Sequence, residues 1–364
     1  MPVLGAPGHG APFRSVTGAI LPIFPFGGVN LSSQLRRGDV VEVKNANEIL
    51  ATLDSEGRTE ALPFMPEMIQ YYGRRFTVDK RAEKICDTIN KTGSRRLANT
   101  VLLEDLRCDG SAHDGCQAEC RFFWKESWLR RVFKNDQKPS LGVDSDGTTA
   151  LADLISHYIS KIKDIDGRSV KIYICQATEL YNTSTRLRAL DPRPYVREFT
   201  NGNISFRHFI RGTVHAYKEN LYYKFRGIIL QRILRRHSTG EIPLPGTRVG
   251  PVIDNPLGIL PGEYVQVKTR EEIASTLTPK GKERGLWFDR EMLPFCGGTY
   301  RVKRRVNRFI NDRTCQMIEL KTDCVTLEGV VCSGEHSYFR HFCPRAIYPF
   351  WRESWLRRVK VDSQ

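Results

Sequence analysis

No run of about 18 apolar residues occurs anywhere in the chain, so no helix is predicted to span a membrane. The apolar stretch from Gly18 to Val29 is broken by Pro22 and Pro25 and lacks both a basic flank and a small-residue cleavage pattern. That argues against a secretion signal and makes the cytoplasm the expected compartment. Cys-x-x-Cys is absent, which removes ordinary zinc-ribbon and thioredoxin signatures. So are Gly-x-x-x-x-Gly-Lys-(Ser/Thr), Gly-x-Ser-x-Gly, His-Glu-x-x-His and Gly-x-Gly-x-x-Gly. No phosphate loop, hydrolase elbow, zinc-protease helix or dinucleotide pocket is therefore signalled. Acid is scarce as well: 41 Asp and Glu stand against 56 Lys and Arg, a net charge of +15. Such an excess favours polyanions, whether nucleic acid, an anionic membrane face or an acidic partner.

What is present is enough for packed cores. Hydrophobic residues make up 40% of 364 positions, a length that suggests two or three domains. Ten cysteines, in a chain without a secretion signal, read as metal ligands or buried thiols rather than disulfides.

The dominant feature is an internal repeat. Displaced by 224 positions, Gly38, Val41, Val43 and Lys44 meet Gly262, Val265, Val267 and Lys268. Glu48, Ile49, Gly57, Phe64, Glu67 and Met68 meet Glu272, Ile273, Gly281, Phe288, Glu291 and Met292. The register holds to Cys108 and Cys332 and then becomes 227, so that Cys116 meets Cys343. At that offset Phe123-Trp124-Lys125-Glu126-Ser127-Trp128 meets Phe350-Trp351-Arg352-Glu353-Ser354-Trp355. The predicted organisation is an irregular segment 1–34, a first cysteine-bearing domain 35–133, a basic helix-rich middle 134–258, and a second domain 259–360.

Each repeat opens on Gly-(Asp/Glu) followed by alternating valines, a strand after a turn. Residues 48–53 and 272–277 read as a short helical turn. Phe76 to Val78 with Tyr300 to Val302, and Val101 to Leu103 with Val325 to Leu327, read as further strands. The expected fold class is α+β, two small SH3-like β-barrels joined by the middle segment. The opening Gly38-Asp39-Val40-Val41-Glu42-Val43 resembles the first strand of SH3-like barrels of the KOW type. Over nearly the full length the chain resembles a bacterial family with duplicated cysteine-containing domains of this kind. The resemblance rests on Leu62 to Met68, Cys108 to Cys120, Cys175 to Leu180 and Phe342 to Pro349. It implies a fold and brings no activity with it.

In the middle, Ala150 to Ile162 has helical spacing, Val170 to Ile174 alternates like a strand, and Asp191-Pro192 signals a helix start. Ile204 to Arg236 reads as a long helix, breakable at Gly212 or Gly227. It carries Arg207, Arg211, Lys218, Lys224, Arg226, Arg232, Arg235 and Arg236, with tyrosines interleaved. That pattern suits a polyanion, or a helix that packs its aromatics inward and solvates its arginines.

The candidate metal ligands are Cys86, Cys108, His113, Cys116 and Cys120 in the first repeat. In the second they are Cys296, Cys324, Cys332, His336, His341 and Cys343, with Cys315 beside them. Thiolate and imidazole sets of this size suit zinc, in up to two closed sites. An iron–sulfur cluster is the alternative, as are inert buried thiols. Cys175 reads as a core residue. Trp124 and Trp128, like Trp351 and Trp355, sit four apart and read as core packing. Glu67, Glu291, Glu126 and Glu353 recur in both repeats, which points to structural contacts more than to acid–base catalysis. The expected function is a metal-stabilised binding protein, nucleic acid or another polyanion being its partner. The alternatives are a metal- or cluster-dependent enzyme or accessory in a specialised biosynthetic pathway, and a protein-interaction scaffold.

Overall fold

The computed structural model describes residues 34–133, 145–221, 243–250 and 257–359, apart from residues 91, 189, 190, 216, 219, 220, 249, 338 and 339. The chain divides into Met1–Gln34 and Leu35–Gln364. The segment expected to be irregular lies outside the described residues but for its last, and both repeats fall in the larger unit.

Each repeat builds a five-stranded antiparallel sheet. In the first, Val40–Val43 lies between Arg75–Arg81 and Leu129–Arg131, and Thr100–Leu103 extends the sheet to Trp124–Lys125. In the second, Tyr264–Val267 lies between Thr299–Ile310 and Leu356–Arg358, and Met317–Leu327 extends it to Trp351–Arg352. The alternating valines explain the central strand: Val41, Val43, Val265 and Val267 are wholly buried, with intervening residues toward the other face. Even the register irregularity recurs, after Val78 in one sheet and after Val302 in the other.

The expected barrel does not close. Among the described residues the outermost strands of each sheet pair only inward. Two or three residues apiece give them too few ladder bonds to bridge the remaining gap. The architecture is α+β with several small antiparallel sheets.

The tryptophan pairs pack the two cores, though not on an α-helix. Trp124 opens the strand Trp124–Lys125, and Trp128 ends the 3-10 turn Glu126–Trp128. Both rings meet Phe64 edge-on, at 6.5 and 5.0 Å between centroids. Trp351 and Trp355 meet Phe288 in the same way, at 6.1 and 5.2 Å. All four indoles are fully buried, each removing roughly 150–250 Å² from water.

The recurring acids Glu126 and Glu353 fasten each sheet to the segment that precedes it. Glu126 accepts from the Leu35 amide (3.1 Å) and from Arg81. Glu353 accepts from the Gly258 and Ile259 amides (2.9 and 3.1 Å) and from Arg305 (3.0 Å).

In the middle, a helix Ser145–Ser156 ends earlier than its periodicity suggests. The chain then forms a two-stranded ribbon, Ser160–Ile165 against Arg168–Tyr173, turning at Asp166 and Gly167. β-branched residues take over there, and the helical spacing of Ile159 and Ile162 is coincidental. Helices Gln176–Thr183 and Arg193–Thr200 follow, the latter capped by Pro192. Residues 206–215 are helical without a break at Gly212. A Cβ at Gly212 would stand 2.5 Å from the Phe342 ring, so this glycine permits close packing on the second repeat. Ile204 and Ser205, where the helix was expected to begin, precede it, and the rest of the expected helix, including Gly227, lies outside the described residues save for parts of 217–221.

Candidate metal centre

The two repeats meet through their cysteine loops. Gln117 donates its amide to the Arg308 carbonyl (3.1 Å), and its side-chain oxygen accepts from the Asn307 amide (2.8 Å). Glu119 pairs with Lys303 and with Arg304 (2.9 Å). Residues 107–121 of the first repeat thus lie on the long strand Thr299–Ile310 of the second.

Each loop is built in one way. Cys108 is tied back by its amide to the Cys120 carbonyl (2.8 Å). Gly110 has φ +75°, and a Cβ there would stand 2.0 Å from the Cys116 carbonyl oxygen. Its counterpart Gly334 has φ +69°, with a Cβ 2.6 Å from the Arg340 carbonyl oxygen. Only glycine allows these approaches. The recurring acid then closes the loop from beneath. Glu67 accepts from the Ala112 amide (3.3 Å), His113 Nδ1 (2.8 Å) and the Cys108 thiol (3.6 Å). Glu291 accepts from the Gly334, His336 and Ser337 amides (3.1, 2.9 and 2.8 Å) and from the Ser333 hydroxyl (3.0 Å). Burial works against an ionised Glu67, but the hydrogen bond and charge of His113 outweigh it and hold its carboxyl below the usual range.

In the first loop the structure brings together Cys108, Cys116 and Cys120, and it adds Cys175. All four line one cavity of about 410 Å³, mouth included, with Met65, Phe122, Ala177 and Ile310 as apolar walls. Cys175, read from the sequence as a core residue, is the N-cap of helix Gln176–Thr183. The 54 residues separating it from Cys120 hide the association. Backbone amides point at three of the sulfurs: Gly110 at Cys108, Ala118 and Ile310 (3.4 Å) at Cys116, and Ala177 and Thr178 at Cys175. Burial pushes the thiols of Cys108, Cys116 and Cys120 up, and that of Cys175 to about 12, so without a nearby cation all four remain protonated at neutral pH.

His113 lines this cavity but has both ring nitrogens engaged, Nδ1 with Glu67 and Nε2 with the Ile174 carbonyl (3.2 Å). It orients the loop rather than offering a lone pair. Among the described residues, no three His, Cys, Asp or Glu side chains converge closely enough to hold a single ion.

Cys86, Cys332 and Cys343 form a second cluster across the repeats. The Cys86 amide donates to Cys343 Sγ (3.2 Å). Arg345 lies 4.0 Å from Cys86 Sγ, and Arg340 lies 3.9 Å from Cys332 Sγ. The hydrogen bond from Cys343 lowers the Cys86 thiol against the pull of burial, with the arginines assisting; burial raises Cys343 and Cys332. His341 meets His215 edge-on at 5.2 Å between centroids, and His336 gives its amide to Glu291. Cys296, Cys315 and Cys324 stand apart from both clusters: Cys296 caps the 3-10 helix Arg290–Phe295, Cys315 occupies a turn, and Cys324 is buried within Met317–Leu327.

Of the expected polyanion-binding residues, Arg207, Arg211 and Lys218 are exposed, and Arg211 lies 3.9 Å from Glu335. Lys224, Arg226, Arg232, Arg235 and Arg236 lie outside the described residues. Of the ribbon 160–173 the sequence predicted only the second strand, as Val170 to Ile174, and not the basic surface on which Lys161, Lys163, Arg168 and Lys171 are all exposed. Its base is bound to the cysteine loop. Asp114 accepts from Lys171 (2.7 Å) and Tyr173 (2.5 Å), His113 meets the Ile174 carbonyl, and Cys175 follows directly. No described helix is long and apolar enough to cross a membrane.

No family model matches this chain, and neither a curated protein nor a solved structure shows significant similarity to it.

Proposed function

We propose that this chain is a metal-dependent binding protein for a polyanion, nucleic acid foremost. Two SH3-like repeats grip a thiolate-ligated centre that sets the position of a basic β-ribbon. The SH3-like reading is supported by the strand order, in which the fifth strand lies beside the first and is entered through a 3-10 turn. The observation that carries the functional reading is the attachment of the ribbon's base to the cysteine loop through Asp114, His113 and Cys175. A two-stranded ribbon fits the major groove of a duplex, and Lys161, Lys163 and Arg168 are placed to neutralise phosphates. The net charge of +15 and the exposed Arg207, Arg211 and Lys218 favour the same partner class.

Fluorescence anisotropy with duplex DNA over a salt series tests this. Affinity is expected to fall steeply with salt, by about 0.9 in logarithmic slope per phosphate contacted. The triple variant K161E/K163E/R168E is expected to bind at least tenfold more weakly and with a shallower slope. Affinity indifferent to salt, or unchanged in the variant, rejects the ribbon as the binding element.

A further inference from the structure

We infer that Cys108, Cys116, Cys120 and Cys175 are the four ligands of a single [4Fe–4S] cluster, held in the cavity where the first cysteine loop meets the second repeat. This rests on the metal-centre part of the proposed function and is independent of whether the ribbon binds nucleic acid.

Size comes first. Four sulfurs about 2.3 Å from one zinc ion stand in mutual contact around a point. Here the four cysteines line one common cavity, while among the described residues no three ligand-type side chains close on one ion. Thiolates spread around a space, instead of meeting at a point, match the corners of an iron–sulfur cube.

The surroundings agree in three respects. The ligand set is all sulfur, because His113 is committed to Glu67 and to the Ile174 carbonyl. Five backbone amides are aimed at three of the four sulfurs, an arrangement that stabilises thiolate charge and tunes cluster potential. The cluster with its four thiolates carries two negative charges in its oxidised form, and the guanidinium groups of Arg121 and Arg345 stand beside it, paired with Asp79 and Asp312. An adjoining pocket shares Cys120, Arg121, Gln176 and Ala177 with the cavity and adds Arg345. Binding is a ligand exchange with a [4Fe–4S]2+ core carried by four external thiolates: each cysteine sulfur bonds to one iron, that iron's external thiolate leaves, and the cysteine proton passes to the departing thiolate, four for four, with no change in oxidation state.

The structure assigns one cluster per chain, not two. Among the described residues the equivalent positions Cys332 and Cys343 are joined by Cys86, and Arg340 and Arg345 direct guanidinium groups at Cys332 and Cys86. Donors occupy the approaches to those sulfurs that a metal would need.

The test is elemental and sulfide analysis of the full chain purified without oxygen, together with its visible spectrum and its electron paramagnetic resonance after dithionite reduction. The expected result is four irons and four acid-labile sulfides per chain, a brown colour that dithionite bleaches, and a paramagnetic signal on reduction. Alanine at Cys108, Cys116, Cys120 or Cys175 is expected to lower iron and sulfide at least fourfold, whereas C315A and C324A keep the full complement. One zinc without sulfide overturns the cluster while preserving the metal centre. No metal at all overturns both. Full iron in C175A overturns the ligand assignment even if the loop variants fail to fold.

Discussion

Arg81→Met is expected to destabilise the protein by roughly 3–5 kcal/mol, the range for breaking a buried ion pair by removing one partner. Arg81 is 1% exposed and lies between two carboxylates, Glu83 at 3.4 Å and Glu126. Without the guanidinium, Glu126 retains the Leu35 amide and Glu83 its pair with Arg96 at 2.7 Å, but the two acids lose the buried cation between them. The duplication supplies an internal control, since Arg305 occupies the equivalent place in the second repeat. Its side chain is 30% exposed, it pairs with Glu353 at 3.0 Å, and Glu353 keeps two amide donors. Arg305→Met is therefore expected to cost less, about 1–2 kcal/mol, because solvent screens the site. Urea denaturation of both variants measures the difference. The double variant R81M/E126Q is expected to recover part of the loss, because it removes the orphaned charge along with its partner. Equal losses at Arg81 and Arg305 would mean that burial does not set the strength of these pairs.

The duplication was legible because structure at matched positions constrains residue type. Val41 and Val265 must fill a sheet interior, Gly110 and Gly334 must let a carbonyl approach, and Lys44 and Lys268 each reach a carbonyl of the 3-10 turn, at Ser127 and Ser354 (2.8 and 2.7 Å). Recurrence therefore marked Glu67 and Glu126 correctly as structural contacts. Closure of the barrel was not legible, since it depends on how far the outermost strands extend, and two or three residues carry no periodicity. Nor was the fourth cavity cysteine. Cys175 has no counterpart in the repeat and no ligand-spaced neighbour, and only the docking of helix Gln176–Thr183 brings it to the loop. His113 misled for the opposite reason. It sits between two cysteines in sequence, yet a buried carboxylate and a carbonyl claim its ring. Only the second strand of the ribbon was legible, at Val170 to Ile174; its first half carries apolar residues at helical spacing, and the competition between the two periods is settled by the Asp166-Gly167 turn.

The second large effect is a pH dependence centred on Glu198, which is fully buried. Burial pushes its carboxyl up to about 8, although the Asn203 hydrogen bond (2.7 Å) and the charges of Lys80 and Lys84 oppose the shift. A carboxyl raised in the fold contributes stability that is fully present below its unfolded value near 4.5 and is lost as pH climbs toward 8. Lys84 works in the other direction. Burial lowers its ammonium to about 8, against the attraction of Glu198, and its Nζ donates to the His341 carbonyl (2.5 Å). A lysine depressed in the fold contributes stability present above its unfolded value near 10.5 and lost as pH falls toward 8. The two contributions together place a minimum of stability near pH 8. Glu198→Gln keeps an acceptor for Asn203 and removes the acidic arm, so the variant is expected to exceed the wild type at pH 8 by about 3–5 kcal/mol and to match it closely at pH 5. Denaturation midpoints at those two pH values provide the measurement. A variant less stable than wild type at pH 8 would mean that Glu198 is ionised and paired with Lys84, so that the helix Arg193–Thr200 is held to the first repeat by a buried ion pair instead of a neutral carboxyl.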